Sequence, residues 1–156
     1  MTKRQQALIP LTHDHHHALS QARHLRLSAK EDPGRLLHQA KEFIDFFHAD
    51  TIEHFRQEEE IVFPLAIGDP RTAGLLGRAL VEHLQIHALA GRLSVQIRKG
   101  EVSADTALEL ADTLEAHIRL EEKELFPLLE EVVPANELAA TDLTWRRKRS
   151  RSEERD

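Results

Sequence analysis

One stretch of the sequence occurs twice, and both copies place histidine and glutamate in a spacing that suits metal ions. The copies read HFRQEEEIVFP from residue 54 and HIRLEEKELFP from residue 117. In each copy a glutamate follows the histidine by four residues, as His54 with Glu58 and as His117 with Glu121. Residues four apart lie on one face of an α-helix, about 6 Å apart along its axis. Each pair can therefore bind one metal ion or straddle two.

Further donors stand outside these two copies. An acid followed by a histidine occurs as Asp14-His15 and Glu82-His83, and His87 follows four residues after His83. We expect five imidazoles and two carboxylates to point inward at one level: His15, His54, His83, His87, His117, Glu58 and Glu121. Seven donors exceed the need of one ion with about four to six ligands, and they suit two ions bridged by the carboxylates. Because all are nitrogen or oxygen donors, iron or manganese is favoured, with zinc or copper compatible.

The other histidines and acids of these helices have simpler interpretations. Six histidines lie roughly 100–180° around their helices from the candidate ligands and are expected to be solvated: His13, His16, His17, His24, His38 and His48. A register shift of one residue would exchange His15 with His16, and His87 could instead be a core histidine. Four acids are expected to be exposed charges or acceptors for ligand N–H groups: Glu59, Glu60, Glu122 and Glu124.

Helix-breaking residues divide the chain into four helical stretches that must position these donors. The stretches run over about residues 11–30, 34–67, 71–99 and 104–133. Thr12 or Asp14 is a candidate cap for the first stretch, and Ser103 is a good cap for the fourth. No alternation of β-branched residues persists long enough to indicate a strand.

Short turns join these stretches, so neighbouring helices should be antiparallel. We predict an all-α fold, an up-down-up-down antiparallel four-helix bundle. Residues 1–10 would be an N-terminal extension, residues 11–140 the metal-binding bundle, and residues 141–156 a charged, disordered tail. In two of the helices a histidine and a glutamate interrupt the apolar face. Burying such groups is costly unless something satisfies them, and a metal ion does so.

Composition excludes several classes of protein. The chain has no cysteine, which rules out disulfides, zinc–thiolate sites, iron–sulfur clusters and thiol nucleophiles. No apolar run approaches the length of a membrane span, and the N-terminus has no apolar leader, so a cytoplasmic location is expected. The net charge of −6 argues against nucleic acid as the main partner, although residues 146–151 are basic.

In the order DHHHAL, HFRQEEEIVFP, VEHLQIH and HIRLEEKELFP, the chain resembles the hemerythrin family, specifically bacterial proteins with the hemerythrin HHE cation-binding domain. The resemblance covers roughly residues 11–131. A single His-x-x-x-Glu arises often on charged helices. Two copies in register, each ending in Phe-Pro and each preceded by an acid–His helix, are far more specific.

The resemblance implies a non-haem pair of iron ions bridged by two carboxylates and an oxo or hydroxo group, with manganese or zinc as other metals. It assigns one iron to His83, His87 and His117, and the other to His15 and His54, with a position open for dioxygen. Glu58 and Glu121 would be the bridges, and Leu114 would wall the oxygen pocket. Hemerythrin proper has an aspartate five residues after its last ligand histidine. Here Glu122 stands at that place and Glu121 at four, as in the HHE relatives.

Three functions fit this pattern. The first is a protein that binds dioxygen or another small diatomic molecule for sensing, carriage or storage. The second is an iron-homeostasis protein in which metal loading is the signal. The third is a di-iron enzyme acting on peroxide or nitric oxide. A ferritin-like oxidase is disfavoured because such bundles use Glu-x-x-His, which occurs nowhere in the chain. Membranes and nucleic acids are not expected partners, and the sequence does not indicate an oligomeric state.

Overall fold

The computed structural model describes residues 3–141, and all regular structure within that range is helical. The first bundle helix is α1 (Ile9–Ser28). The second runs through α2 (Pro33–Phe46), a π-helical turn (Phe47–Thr51), α3 (Ile52–Gln57), a second π-helical turn (Glu58–Val62) and a 3₁₀ turn (Phe63–Leu65). The third is α4 (Ala73–Lys99). The fourth runs through α5 (Ala104–Leu120), a third π-helical turn (Glu121–Leu125) and α6 (Phe126–Val132). Short pieces flank the bundle: 3₁₀ turns at Gln6–Leu8 and Pro70–Thr72, and α7 (Ala135–Ala139).

These helices form the predicted bundle. Helix α1 packs against α2 and α5, and α4 packs against the same two helices, so each helix lies beside its neighbours in the chain. Short connections between long helices make consecutive helices antiparallel. The prediction of an all-α four-helix bundle is confirmed. No helix within residues 3–141 has the length and apolar character needed to cross a membrane.

Local sequence signals explain where most of the helices begin and end. The Asp32 carboxylate accepts a hydrogen bond from the Arg35 N–H at 3.0 Å and caps α2. Ser103 caps α5 in the same way, as predicted. Gly100 ends α4 with a φ of 75°, a left-handed conformation that favours glycine.

The predicted cap of the first helix was wrong. The helix begins at Ile9 without a side-chain cap, two residues before the predicted start. Thr12 and Asp14, the expected caps, lie inside the helix, where their side chains reach across to other helices. The Thr12 hydroxyl donates to Glu122, and Asp14 accepts from His54. A capping residue type therefore serves a tertiary contact here.

Two of the π-helical turns precede the prolines of the repeated stretch. The Phe63 N–H donates to the Glu58 carbonyl, and the Phe126 N–H donates to the Glu121 carbonyl, each spanning five residues. A proline in a regular α-helix has no N–H to donate, and its ring clashes with the carbonyl four residues earlier. The wider turn accommodates the proline that follows each phenylalanine, and it places a glutamate at its first position.

The core consists of two apolar clusters with a polar layer between them. The larger cluster contains Phe43, Phe55 and Ile86, and the smaller cluster contains Leu8 and Phe126. Buried histidines and glutamates lie between the clusters. Leu8 is fully buried in the smaller cluster, although the sequence places residues 1–10 outside the bundle. The domain boundary between residues 10 and 11 stays a prediction. Residues 142–156, with most of the predicted tail and its basic segment, lie outside the described residues.

Candidate metal centre

The polar layer brings six of the seven predicted donors together. Two groups of side chains each place their ligand atoms within 4.8 Å of one another, and both groups are buried throughout. The first group is His15, His54, Glu58 and Glu121, and the second is Glu58, His83, His117 and Glu121. Glu58 and Glu121 belong to both groups. Each group therefore offers two imidazoles and the same two carboxylates.

Each bundle helix supplies its donors by simple helical geometry. Glu58 lies one turn after His54, and its Oε1 is 3.1 Å from His54 Nε2. Glu121 lies one turn after His117, and its Oε1 is 2.7 Å from His117 Nε2. Helices α1 and α4 each add one imidazole, from His15 and from His83.

The shared carboxylates also face the imidazoles of the other helices. Glu121 Oε2 lies 3.0 Å from His15 Nε2. Glu58 Oε1 lies 3.4 Å from His83 Nε2. Since both carboxylates approach imidazoles of both groups, they occupy the place that bridging ligands between two cations would take.

Each of the four buried imidazoles contacts an acid through its Nδ1, on the side of the ring that faces away from the centre. The Nδ1 contacts are His15 to Glu122 at 2.6 Å, His54 to Asp14 at 3.0 Å, His83 to Glu59 at 2.7 Å and His117 to Glu82 at 3.1 Å. A carboxylate can only accept, so Nδ1 carries the hydrogen and Nε2 faces the centre. Such contacts fix the orientation of a ligand histidine and raise its basicity.

These acids follow a repeat that the sequence shows only in part. Asp14 and Glu82 each precede a donor histidine, and each contacts the histidine of the next bundle helix. Glu59 and Glu122 each follow a shared carboxylate, and each contacts the histidine of α4 or of α1. The acceptor role foreseen for Glu59 and Glu122 is what the structure shows. The role of Asp14 and Glu82 was missed, although the acid–His dipeptide was the signal.

The carboxylates dominate the protonation of the imidazoles in the absence of metal. Burial lowers the pKa of His54, but Glu58 and Asp14 outweigh burial and raise it to about 10. Burial likewise opposes the charged form of His83, yet the nearby carboxylates of Glu121 and Glu58 raise its pKa to about 10. Both imidazoles therefore carry a proton at neutral pH when no cation is present.

The other half of the layer behaves in the same way. Burial is again outweighed at His117, where the Glu121 carboxylate raises the pKa to about 9. The pKa of His15 is raised too, because the carboxylates of Glu121 and Glu122 outweigh its burial. Burial acts to raise the pKa of Glu121, but the neighbouring His117 holds it well below its usual value. A cation entering here must displace protons.

Several buried atoms of the layer have no hydrogen-bond partner among the described residues. They are both carboxylate oxygens of Glu58, both of Glu121, and Nε2 of His83 and of His117. Buried polar atoms normally have hydrogen-bond partners, and a buried polar atom without one costs folding free energy. All of these atoms are good ligands for a divalent cation, and all face one another. The donor set therefore fits the pair of metal ions that the sequence predicts.

The structure does not bring the seventh predicted donor, His87, to this layer. His87 is exposed, and its ring contacts the edges of Phe47 and Phe55 at centroid distances of 5.4 and 5.7 Å. It lies one helical turn beyond His83, at a level where these phenylalanine rings fill the interior. The two groups consequently hold two imidazoles each, where the family resemblance implies three and two.

The remaining histidines lie where the helical wheel placed them. His13, His16, His17, His24, His38 and His48 are all exposed. His16 is thus on the surface while its neighbour His15 is 2% exposed and part of the first group. Glu121 is fully buried in the layer, whereas Glu122 is only partly buried and contacts His15 from behind.

A cavity of about 230 Å³ adjoins the first group. His15, His54 and His117 form part of its wall, and so does Leu114, the residue expected to line a small-ligand pocket. Its polar wall was not predicted. Thr51 is 5% exposed and lines the cavity, and its hydroxyl oxygen has no hydrogen-bond partner among residues 3–141. The cavity gives small molecules a place beside the donors.

Comparison with known proteins supports this description of the site. The family model named hemerythrin HHE cation binding domain matches residues 8–129 of the chain, which include both groups of donors. Neither the comparison with curated proteins nor that with solved structures gives a match.

Proposed function

Because the chain belongs to the hemerythrin HHE cation-binding domain family, and is therefore a metal-binding protein, we propose that it binds two iron ions and takes up dioxygen or a related small molecule there. The observation that carries the proposal is the pair of donor groups that share Glu58 and Glu121. One ion would leave imidazoles unused, whereas two ions use all of the donors. Imidazole and carboxylate suit iron, and manganese or zinc fit the same set.

When bound, a pair of iron ions supplies reversible electron transfer to a small ligand. The chain's residues do the rest. Glu58 and Glu121 hold the two cations close together, and the acids on Nδ1 keep each imidazole aimed at the centre. Four neutral imidazoles accompany two carboxylates here, and this donor set would leave the cations more positive than a carboxylate-rich site does. Such a balance of donors favours binding of a small ligand over its further reaction at the metal ions.

The surroundings control what reaches the centre. The cavity beside His15 and His54 admits a small molecule, while Leu114 and Phe55 present apolar side chains to it. Both apolar residues are buried, at 2% exposure each. Apolar walls limit the water around the donors, which strengthens electrostatic interactions inside the site.

A second candidate function, a di-iron enzyme acting on peroxide or nitric oxide, is favoured by the position of His87. With His87 outside the layer, the two groups hold equal numbers of imidazoles, and a third imidazole completes neither. Two equally open metal positions suit turnover of a small oxidant better than storage of one ligand at a single position.

Metal analysis after anaerobic reconstitution tests the proposal. We expect about two iron ions per chain, magnetically coupled, and a new optical band on exposure to dioxygen that disappears when dioxygen is removed. The variant His54→Ala should lose iron, while His24→Ala, on the exposed face of α1, should match the parent. Saturation at one uncoupled iron would contradict a two-iron centre. Rapid consumption of added hydrogen peroxide, without a reversible band, would favour the enzyme.

A further inference from the structure

Arg4, near the start of the described residues, contacts the acid that holds His15. Its guanidinium donates hydrogen bonds at 3.0 Å both to the Glu122 carbonyl oxygen and to Glu122 Oε2. The other carboxylate oxygen of Glu122 receives the His15 Nδ1 contact and a hydrogen bond from the Thr12 hydroxyl. Arg4 also donates to Glu130, which in turn accepts from the Gln5 N–H at 2.8 Å. A network of charge-assisted hydrogen bonds thus links residues 4–5 to the metal centre.

Arg4 is also linked to the centre through the Phe126 ring. Its guanidinium carbon lies 5.5 Å from the centre of the Phe126 ring. The Phe126 ring stacks on the His15 imidazole at a centroid distance of 5.4 Å. Arg4, Phe126 and His15 therefore share one stack, and Phe126 is fully buried. Both routes end on the same imidazole.

The corresponding acid in the other half of the centre lacks this support. Glu59 contacts His83 as Glu122 contacts His15, but its side chain is 39% exposed, compared with 24% for Glu122. The structure records no arginine or lysine partner for Glu59 within residues 3–141. An acid exposed to water can turn away from its imidazole, whereas an acid held on both sides cannot.

We propose that Arg4 is a positioning residue that fixes Glu122 against His15 and so sets the metal affinity of the His15–His54 position alone. The proposal rests on the two-metal centre proposed above. Without the guanidinium, Glu122 can rotate toward solvent, and the His15 ring loses the contact that aims Nε2 at the cation. Loss of the partner behind a ligand histidine typically weakens metal binding about 10–100-fold. Arg4 acts one contact further away, so the lower end of that range is expected.

Titration of the metal-free protein with Co²⁺ tests this role. The parent should bind two ions. In Arg4→Met, which keeps an aliphatic side chain near Phe126, one of the two affinities should fall about tenfold while the other is unchanged. Arg4→Lys should fall between Arg4→Met and the parent, since it keeps the charge but not the two-pronged donor. The matched control is Arg26→Met, because Arg26 likewise pairs with two acids of the fourth bundle helix, Asp112 and Glu115, away from the centre.

A spectroscopic readout separates positioning from general stability. In the Co²⁺-loaded protein each ligand imidazole has an Nδ1 proton with a paramagnetically shifted NMR signal. The His15 signal should exchange with water faster in Arg4→Met, and the His83 signal should not. Equal weakening of both ions, tighter binding from the removed positive charge, or the same change in Arg26→Met would overturn the proposal. A parent that binds fewer than two Co²⁺ ions would instead overturn the two-metal centre on which it rests.

Discussion

The first two bundle helices form one helical hairpin and the last two form another, and the two hairpins supply the same donors to the centre but enclose them differently. In α4, Ile86 and Leu89 stand three and six residues after His83, and both are buried in the core. The same offsets after His15 in α1 lead to Ala18 and Gln21, which line the cavity. The repeat fixes where the ligands are, because ligand spacing is a property of the backbone. Side-chain volume at two other positions decides which half a small molecule can approach.

A second pair of corresponding residues gives the cavity its character. Thr51 and Leu114 each stand three residues before the histidine of their own helix, and both line the cavity. The first hairpin thus contributes a hydroxyl without a hydrogen-bond partner among the described residues, and the second contributes an apolar wall. The cavity wall therefore combines a polar group from the first hairpin with carbon atoms from the second.

Removing a carboxylate that both donor groups share should weaken metal binding at both positions, and this is the largest effect that we expect. We expect Glu121→Ala to weaken binding of both metal ions by about 100-fold or more, because loss of an acid behind a ligand alone costs about 10–100-fold. Metal content after gel filtration and the affinities by calorimetry measure this. Glu60→Ala, at an exposed position within the second π-helical turn, is the control and should bind two ions. Retention of one tight ion in Glu121→Ala would show that the halves do not share this ligand.

Both halves should contribute to the pH dependence of unfolding, since the pKa is raised to about 10 for His54 in one half and for His83 in the other. A raised histidine pKa stabilises the folded metal-free protein fully below the unfolded value of about 6.5 and loses that contribution as pH rises through about 10. The lowered pKa of Glu121 acts in the opposite sense, and its contribution is lost as pH falls below about 4.5. Both contributions are present between about pH 4.5 and about pH 6.5. Thermal unfolding of the metal-free protein, followed by circular dichroism, should therefore show its highest midpoint in that range.

Metal binding gives a further check on those pKa values. His54, His83 and His117 are protonated at pH 7 without metal, since their pKa values are about 9–10. Loading should release these protons, and the affinity should rise with pH. Calorimetry in buffers of different ionisation enthalpy counts the protons released. Release of none at pH 7 would contradict the proposed ligand set.

Filling the cavity should abolish the difference between the halves while leaving the metals in place. We expect Ala18→Ile, which copies the residue found in α4, to weaken binding of azide to the iron-loaded protein about tenfold and to leave iron content at two. Added methyl groups in a packed core cost about 1–3 kcal/mol, and the cavity reduces that cost. Azide titration followed by absorbance measures the effect. An unchanged azide affinity would mean that ligands reach the centre from elsewhere.

The smallest effect is expected at His87, which the family resemblance makes a ligand and the structure leaves exposed. His87→Ala should keep two iron ions and should not change the rate of oxidation by dioxygen. Stopped-flow mixing of the reduced protein with oxygenated buffer is the measurement. A loss of iron, or faster oxidation than in the parent, would show that His87 completes one position and that the halves differ in their ligands.

The sequence predicted the donors better than their surroundings. Helix boundaries at Gly100 and Ser103 followed from local chemistry, and the spacing of His54 and Glu58 determined a shared helix face. These are short-range properties that a single helix expresses on its own. The placement of His87 depends on which side chains fill the interior at its level, which helical spacing does not specify.

Contacts between distant segments were the part that the sequence could not provide. Asp14 accepts from His54 because of how two helices pack, and no local pattern pairs the two residues. Arg4 lies in a segment expected to be outside the bundle, yet it contacts Glu122, which is 118 residues away along the chain. Such contacts depend on the course of the whole chain.

The π-helical turns that begin at Glu58 and Glu121 make the centre sensitive to chain length. A π-helical turn holds one residue more than an α-helical turn, so deleting a single residue within 58–62 or 121–125 would restore the narrower helix. The residues beyond the turn would keep their helix face, because the extra residue is contained within the turn. Pro64 or Pro127 would instead lie in a regular α-helix, where its ring clashes with the carbonyl four residues earlier, at a cost of about 3 kcal/mol or more. In designed variants and in sequence alignments, a gap at these positions should therefore be more damaging than any exchange of an exposed side chain beside it.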